Sequence, residues 1–432
     1  MLIADLYEIY LQFPSIQTDT RKVKQNDLFF ALKGPNFNGN QFANEALSKG
    51  AAYAIVDEPG EDTDNRVIYV PDVLQTLQSL ALYHRNQFSF SASEKQVPFI
   101  AVTGSNGKTT SKELIHAVLS STFKTYTTEG NLNNHIGIPL TILKVKQDAE
   151  VAIIEMGANH QKEIEAYCKY TAPTHGVITN CGKAHLEGFG GEEGVRKGKG
   201  ELFDYLRQNS GTAFVMWDYN YLREMSEGIP ARITYGTKDA DITGRVTSSA
   251  ELLEVIITGG SEIGTIKTNL VGEYNLPNIL LAVAMGKYFK VPEEKIKSAL
   301  ENYTPSNSRS QLIEKDGNKI ILDAYNANPS SMKAAIENFA KMEGENKVLV
   351  LGGMMELGTE SISEHQNLVD LINKYKWKDV VLVGGDFSKA THSFSFFENS
   401  LQAGEWYKNR HFSNSSILIK GSRSTAMEKV LE

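Results

Sequence analysis

Cysteine and tryptophan are scarce here, at 2 and 3 residues in a chain of 432. Cys168 and Cys181 cannot build a disulfide framework, so a reduced, cytoplasmic setting is expected. Long hydrophobic runs are missing as well. Nowhere do about 18 apolar residues follow one another, so no membrane span is expected. The N-terminus, Met-Leu-Ile-Ala-Asp-Leu-Tyr-Glu, has neither a basic stretch nor a long apolar core, and no signal peptide is expected. Basic residues are in deficit: 44 Lys and Arg against 52 Asp and Glu give a net charge of −8. No basic stripe offsets that charge, which argues against nucleic acid as the main partner. An anionic small substrate held by local cations and metal stays open.

What is present is ordinary for globular cores: 41% apolar and 22% charged residues. At typical domain size the length suggests about three domains. The first apolar runs are Leu28 to Leu32, Ala52 to Val56 and Val67 to Val70, with helical stretches Phe42 to Ser48 and Val73 to His84. They read as a small α/β domain. A Ser-rich stretch, Phe88 to Gln96, reads as a linker. A longer region then alternates strand-like runs (Val151 to Met156, Gly176 to Thr179, Thr212 to Trp217) with helical pieces, the pattern of a largely parallel sheet. Arg232 to Tyr235, Leu252 to Thr258 and Ile263 to Thr268 suggest an antiparallel extension, closed by a helix from Pro277 to Phe289. Tyr303 to Ser308 reads as a hinge. Beyond it, strands at Lys319 to Asp323, Lys347 to Leu351, Asp379 to Val383 and Ser416 to Ile419 alternate with helices near Ser330 to Lys341, Ser361 to Lys374 and Ser424 to Leu431.

One stretch organises the rest. Phe99 to Val102 reads as a buried strand, followed by Gly104, Gly107 and Lys108 with two threonines that open a helix. That helix pairs Leu114 with Val118 and Ile115 with Leu119 at the spacing of one apolar face. Strand, glycine loop, lysine and helix start make a phosphate cradle: glycines admit an anion to backbone N–H groups, and the helix start adds donors and a positive dipole end. Lys108 can reach terminal phosphates and Thr109 can ligate a phosphate-bound Mg²⁺. The strict G-x-x-x-x-G-K pattern is not met, since Val102 stands at its first glycine. Nucleoside triphosphate binding is expected.

Four further segments carry polar chemistry. Glu155 ends an apolar strand, where the ligand crevice of a parallel sheet lies, and suits either Mg²⁺ or a capping role. Thr179-Asn-Cys-Gly-Lys-Ala-His185 follows another strand end. Gly198-Lys199-Gly200 reads as a lysine in a glycine-rich turn before a helix. Thr128 to Pro139, with Asn131, Asn133, Asn134 and His135, either lines a polar cleft or forms Asx-turns.

In their order behind the phosphate loop, these segments resemble the Mur ligase family, ATP-dependent amide-forming enzymes of peptidoglycan precursor synthesis. Thr103-Gly104-Ser105-Asn106-Gly107-Lys108-Thr109-Thr110 resembles the family's ATP loop. The resemblance implies metal contacts from Thr109, Glu155, His185 and Lys199, with Lys199 carried as a carbamate and two Mg²⁺ ions beside ATP. Asn275 and Asn278 resemble the family's nucleotide-side asparagines, with Tyr274 where a His is usual. Leu322-Asp-Ala-Tyr-Asn-Ala-Asn-Pro-Ser-Ser-Met332, Leu351 to Gly358 with His365 following, and Ile419 to Ser424 resemble the branch that adds D-alanyl-D-alanine; Gly353 replaces an Asp common there. The Asp-Asn-Pro-Arg motif of the diaminopimelate- or lysine-adding relatives is absent. Asp19-Thr20-Arg21, Ala31-Leu-Lys33-Gly34 and Asn38-Gly-Asn40 resemble the UDP-sugar-binding segment.

The resemblance therefore implies an α/β protein of three domains: a small N-terminal UDP-binding domain (1–92), a central P-loop parallel-sheet ATPase domain (93–303) and a C-terminal Rossmann-like domain (304–432) that binds the dipeptide and closes on ATP. Catalytic roles are implied for Lys108, Lys199, His185 and Arg309, and nucleotide contacts for Arg309 and Asp323. Thr20, Arg21, Lys33, Gly34, Asn133, Asn134, Tyr325, Asn326, Asn328, Ser422 and Arg423 are the implied substrate contacts. The implied substrates are UDP-MurNAc-tripeptide and D-Ala-D-Ala, acted on by a cytoplasmic monomer. Two other readings remain: a folylpolyglutamate synthase-like or other Mur-type amide ligase, and an inactive nucleotide-binding scaffold.

Overall fold

The computed structural model describes residues 1–59, 64–88, 96–306, 309–344 and 346–432. The expected linker falls largely on 89–95 and the expected hinge includes 307 and 308, all outside the described residues. The chain folds as two compact units, one of residues 1–101, 123–157 and 163–175, the other of 102–122, 158–162 and 176–432.

In the first unit, Ile16–Gln17, Leu28–Phe30, Tyr53–Val56 and Val67–Tyr69 lie in that order in an all-parallel sheet. Leu28, Phe29 and Phe30 are buried without alternation, as strands covered on both faces must be. The helix Val73–Gln87 starts on an Asp72 cap and packs on helices Ile3–Gln12, Gly137–Leu143 and Glu163–Thr171. From that helix the buried Arg85 donates to the carbonyls of Thr171 and Ala172, both at 3.0 Å, and stacks 4.0 Å over Phe99. Carbonyls that would otherwise be orphaned at the end of one helix are thus satisfied by a side chain of another. Thr125–Thr127 pairs in parallel with Val151–Glu155.

In the second unit, Thr212–Met216 and Ala231–Gly236 continue the parallel rhythm, and Ile242–Ser248 joins them. Glu254–Gly259 and Thr265–Lys267 extend the sheet antiparallel as expected, whereas Arg232 to Tyr235, expected in that extension, belongs to the parallel part, paired in parallel on both sides. The helix Leu276–Tyr288 is buried nearly all round, from Leu276 through Gly286, and packs on the helix Lys108–Ser120. Each of its fully buried leucines contributes about 1.5–3 kcal/mol of burial. A second sheet runs Gln311–Lys315, Asn318–Asp323, Ser416–Lys420, Lys347–Gly352, Asp379–Val383, Ser395–Phe397. Only its first pair is antiparallel.

One expected helix is corrected. Ser424 to Leu431 forms two short 3₁₀ turns, Arg423–Thr425 and Met427–Leu431, because Ala426 between them takes φ +46° and interrupts any continuous helix. Among the described residues no helix is long and apolar enough to cross a membrane.

Candidate active site

The strand Phe99–Thr103 delivers the chain into the loop, and the helix Lys108–Ser120 begins at its end. Gly104 has φ +140°, and a Cβ there would lie 2.0 Å from Oγ1 of Thr179, so no larger residue fits. The loop is pinned from the segment after the next strand. Thr179 Oγ1 and Asn180 Nδ2 donate to the carbonyl of Asn106 at 2.6 and 3.0 Å, and Asn106 N–H returns a bond to Asn180 Oδ1 at 3.1 Å. Ser105 Oγ donates to Gly182 O at 2.9 Å. Lys108 Nζ lies back over the loop, donating to Gly104 O at 2.7 Å and Ser105 O at 3.2 Å. Behind it, Ser111 Oγ donates to Asn278 Oδ1 (2.9 Å) and Asn278 Nδ2 to Asn275 Oδ1 (2.8 Å). The structure thus brings Asn275 and Asn278 to the phosphate loop, as one buried amide relay.

The residues after Thr179 are held by partners far along the chain. Lys183 N–H donates to Ser330 Oγ at 2.9 Å, and its ammonium meets the buried Glu364 at 2.7 Å. The bond to Glu364 pushes the Lys183 pKa up. His185 Nδ1 lies 2.5 Å from Glu356 Oε2, and the imidazole beside it holds the Glu356 carboxyl below its ordinary range. Both residues take a left-handed backbone, φ +54° and +61°. That conformation costs about 1–2 kcal/mol for a side-chain-bearing residue. Beside this pair an open cavity of about 630 Å³ is lined by Leu186, Glu187, Gly190 and Gly191 on one side and Leu357 to Glu360 on the other.

The C-terminal residues reach the same loop. Asn328 Nδ2 donates to Asn106 Oδ1 at 2.7 Å while Asn328 Oδ1 caps the helix Pro329–Lys341 through Ser331 N–H. Asp323 pairs with the buried Lys420 at 2.6 Å, and Lys420 also donates to Asn326 O at 3.2 Å. Arg309 stacks 3.6 Å over the ring of Tyr325. Tyr274, its phenol pKa raised by burial, hydrogen-bonds Ser310 Oγ at 3.0 Å. Ser422 Oγ bonds Ser424 Oγ, and the exposed Arg423 pairs with Glu428 at 3.0 Å.

In the first unit, Glu155 closes its strand fully buried. Its Oε1 accepts from Asn133 Nδ2 at 2.8 Å and its N–H donates to Thr128 Oγ1. Asn134 caps the turn into the helix Gly137–Leu143. Asp19 caps the 3₁₀ turn Thr20–Lys22, and the bond from Arg21 lowers the Asp19 pKa to about 2. Lys33 bridges Asp57 and Glu58, both at 2.9 Å, and stands beside Gly34.

Three family models cover most of the chain: "Mur ligase family, catalytic domain" over 12–85, "Mur ligase middle domain" over 102–286, and "Mur ligase, glutamate ligase domain" over 308–429. The UDP-N-acetylmuramoyl-tripeptide–D-alanyl-D-alanine ligase of Bacillus subtilis is 34% identical over 96% of this chain and 92% of that protein. The chain is a Mur ligase. The crystal structure of MurF from Acinetobacter baumannii matches it with TM-score 0.86 at 32% identity, over 96% of this chain and 92% of that one. A MurF ligase from Thermotoga maritima in complex with ADP matches with TM-score 0.87 at 26% identity, over 98% and 97%. A folylpolyglutamate synthase from Thermotoga maritima shares the fold alone, at 13% identity and TM-score 0.60.

Two features of this Mur ligase depart from its sequence reading. Lys199 is not in a turn. It sits inside the helix Glu192–Gln208, 1% exposed, donating to Ala158 O at 3.0 Å with the Phe189 ring 4.9 Å away. Gly198 is there for close packing: a Cβ would lie 2.4 Å from Phe189 Cε1. The second concerns residues that sequence reasoning passed over, Glu356 and Glu364. Glu356 stands between Met355 and Leu357 and Glu364 between Ser363 and His365, and no local pattern marks a partner 171 or 181 positions away. Among the described residues no group of three or more His, Cys, Asp or Glu is set to hold a metal ion.

Proposed function

We propose that this chain uses ATP to join D-alanyl-D-alanine to the free carboxylate of UDP-N-acetylmuramoyl-tripeptide. The observation that carries this reading is the full-length likeness to relatives named for that reaction, with a phosphate loop built as such a reaction needs. The peptide carboxylate attacks the terminal phosphorus of ATP, giving an acyl phosphate and ADP. The dipeptide amine then attacks the acyl carbon, forming the amide and releasing phosphate and a proton.

The first step brings two anions together. The N–H groups at the start of the helix Lys108–Ser120 are donors for the phosphates. Lys108 exchanges its loop carbonyls for phosphate oxygens, which keeps its charge at the transferring group. Arg309, stacked on Tyr325, carries a permanent second charge toward the terminal phosphate, and Asp323, held by Lys420, serves the ribose side. Closure of the C-terminal residues over the loop, begun by Asn328 on Asn106, excludes water from the acyl phosphate.

Thr109, at the start of the helix Lys108–Ser120, offers an oxygen donor, which suits Mg²⁺. Mg²⁺ bound chiefly by nucleotide phosphates needs few protein ligands, consistent with the lack of a preformed cage among the described residues. When bound, the cation neutralises charge on the phosphates. His185 would add a nitrogen donor to a bound cation, and Lys199, once converted to a carbamate, would add a buried anion. The need for ATP and a UDP-linked substrate supports a cytoplasmic setting. Purified protein given ATP, UDP-MurNAc-tripeptide and D-Ala-D-Ala releases ADP only when the dipeptide is present. Dipeptide-independent turnover, or none, overturns the assignment.

A further inference from the structure

We propose that Tyr274 is a positioning residue for phosphoryl transfer: its phenol holds Ser310, and so fixes where Arg309 leaves the backbone. The role rests on the reading of Arg309 as the charge that meets the terminal phosphate.

Ser310 directly follows Arg309 and stands one residue before the strand Gln311–Lys315. Two bonds clamp it. Its N–H donates to Asp323 Oδ1 at 3.3 Å, and its hydroxyl shares a hydrogen bond with the Tyr274 phenol at 3.0 Å. That N–H lies in the planar peptide that also contains Cα of Arg309, so holding it holds the root of the arginine. Neither partner is loose. Asp323 Oδ2 accepts from the buried Lys420 at 2.6 Å. The turn Glu273–Asn275, which carries Tyr274, is tied down through Glu273 N–H, donating to Asn338 Oδ1 at 3.2 Å. A Cβ at Gly272 would lie 2.3 Å from Tyr274 Cε1, so only glycine admits the ring there. Ser310 itself takes φ +47°, a conformation that a side-chain-bearing residue keeps only where its surroundings dictate it. At the other end of the arginine, the Tyr325 ring under the guanidinium fixes its plane. Arg309 is therefore gripped at root and tip. A side chain ordered beforehand has less rotamer freedom to lose when charge develops on the phosphate. The histidine usual at position 274 has a shorter reach than a phenol, so the clamp is built by a residue in which this chain departs from its family.

Steady-state ADP formation by the full-length protein, with ATP varied at saturating UDP-MurNAc-tripeptide and D-Ala-D-Ala, tests the role. Tyr274→Phe keeps the ring and removes only the hydroxyl. It is expected to lower kcat about tenfold with KM for ATP unchanged, and Ser310→Ala is expected to match it. In an Arg309→Ala background, Tyr274→Phe should cost nothing further, because both act through one group. Wild-type kcat in Tyr274→Phe overturns the proposal. So does a second loss of about tenfold on top of Arg309→Ala, or a raised KM for ATP at unchanged kcat, which would make the phenol a nucleotide contact. If Arg309→Ala alone leaves kcat unmoved, the reading of Arg309 fails instead, and the role of Tyr274 falls with it.

Discussion

The loop ending at Lys108 and the segment from Thr179 to Lys199 both carry charged side chains, but they are assembled at different ranges. The loop's strand, glycines, lysine and helix start are consecutive, and its backbone shape follows from them. The second segment is placed by Ser330, Glu356 and Glu364, more than a hundred residues later. Chemistry that needs backbone N–H groups can be encoded in one short stretch. Chemistry that needs side chains held at fixed angles takes its supports from wherever the fold brings them.

The largest effect tests the local half. Lys108→Ala is expected to lower ADP formation by about 10²–10³-fold or more with the melting temperature unchanged, because a charge at the transferring phosphate is lost while the loop keeps its pins from Thr179 and Asn180. A drop in stability matching the drop in rate would make the loop as dependent on its surroundings as the second segment.

Lys199→Ala probes the other half. About a hundredfold loss of turnover is expected, partly restored by short carboxylic acids that fill the space of a carbamate. Wild-type turnover, or loss without rescue, would remove the carbamate from the account.

The strand leading into the second segment begins at His175, whose burial lowers its pKa from the ordinary 6.5 to about 4. The unfolded chain takes up a proton as pH falls through 6.5, and the native state does not until about pH 4. Stability is therefore full above 6.5 and declines across that window, by up to about 3 kcal/mol. Denaturant titrations should show His175→Gln flattening this decline; an unchanged slope would assign it elsewhere.

Gly198→Ala sets overpacking against Phe189, about 1–3 kcal/mol, against a helix-propensity gain of about 1 kcal/mol. A net loss of about 1 kcal/mol is expected, whereas stabilisation would mean that Phe189 moves aside freely. Smallest is Glu364→Gln. Lys183 is 36% exposed, so screening limits the pair to less than about 1 kcal/mol of stability. Calorimetry that found a much larger loss would make this contact a structural anchor rather than a guide for the segment.

The same contrast explains what could be read from residues alone. Leu114, Ile115, Val118 and Leu119 were marked by helical spacing, and all are fully buried. Glu155 at its strand end was marked by one polar residue closing an apolar run. The strand Ile242–Ser248 was passed over because its burial alternates with exposed polar positions and no apolar run announces it. Two glycines made Lys199 look like a turn residue, since close packing and turn formation leave the same mark in a sequence. The N-terminal helix Ile3–Gln12 carries no Ser, Thr, Asn or Asp at its N-cap, Leu2, to mark its start. Glu356 lies in the segment Leu351 to Gly358 that carries the resemblance, but nothing local names His185 as its neighbour.

The most direct test labels the tripeptide's reacting carboxylate with heavy oxygen and weighs the phosphate released during turnover with D-Ala-D-Ala. An acyl phosphate route requires one labelled oxygen to leave with the phosphate. Phosphate without label would contradict the account at its centre.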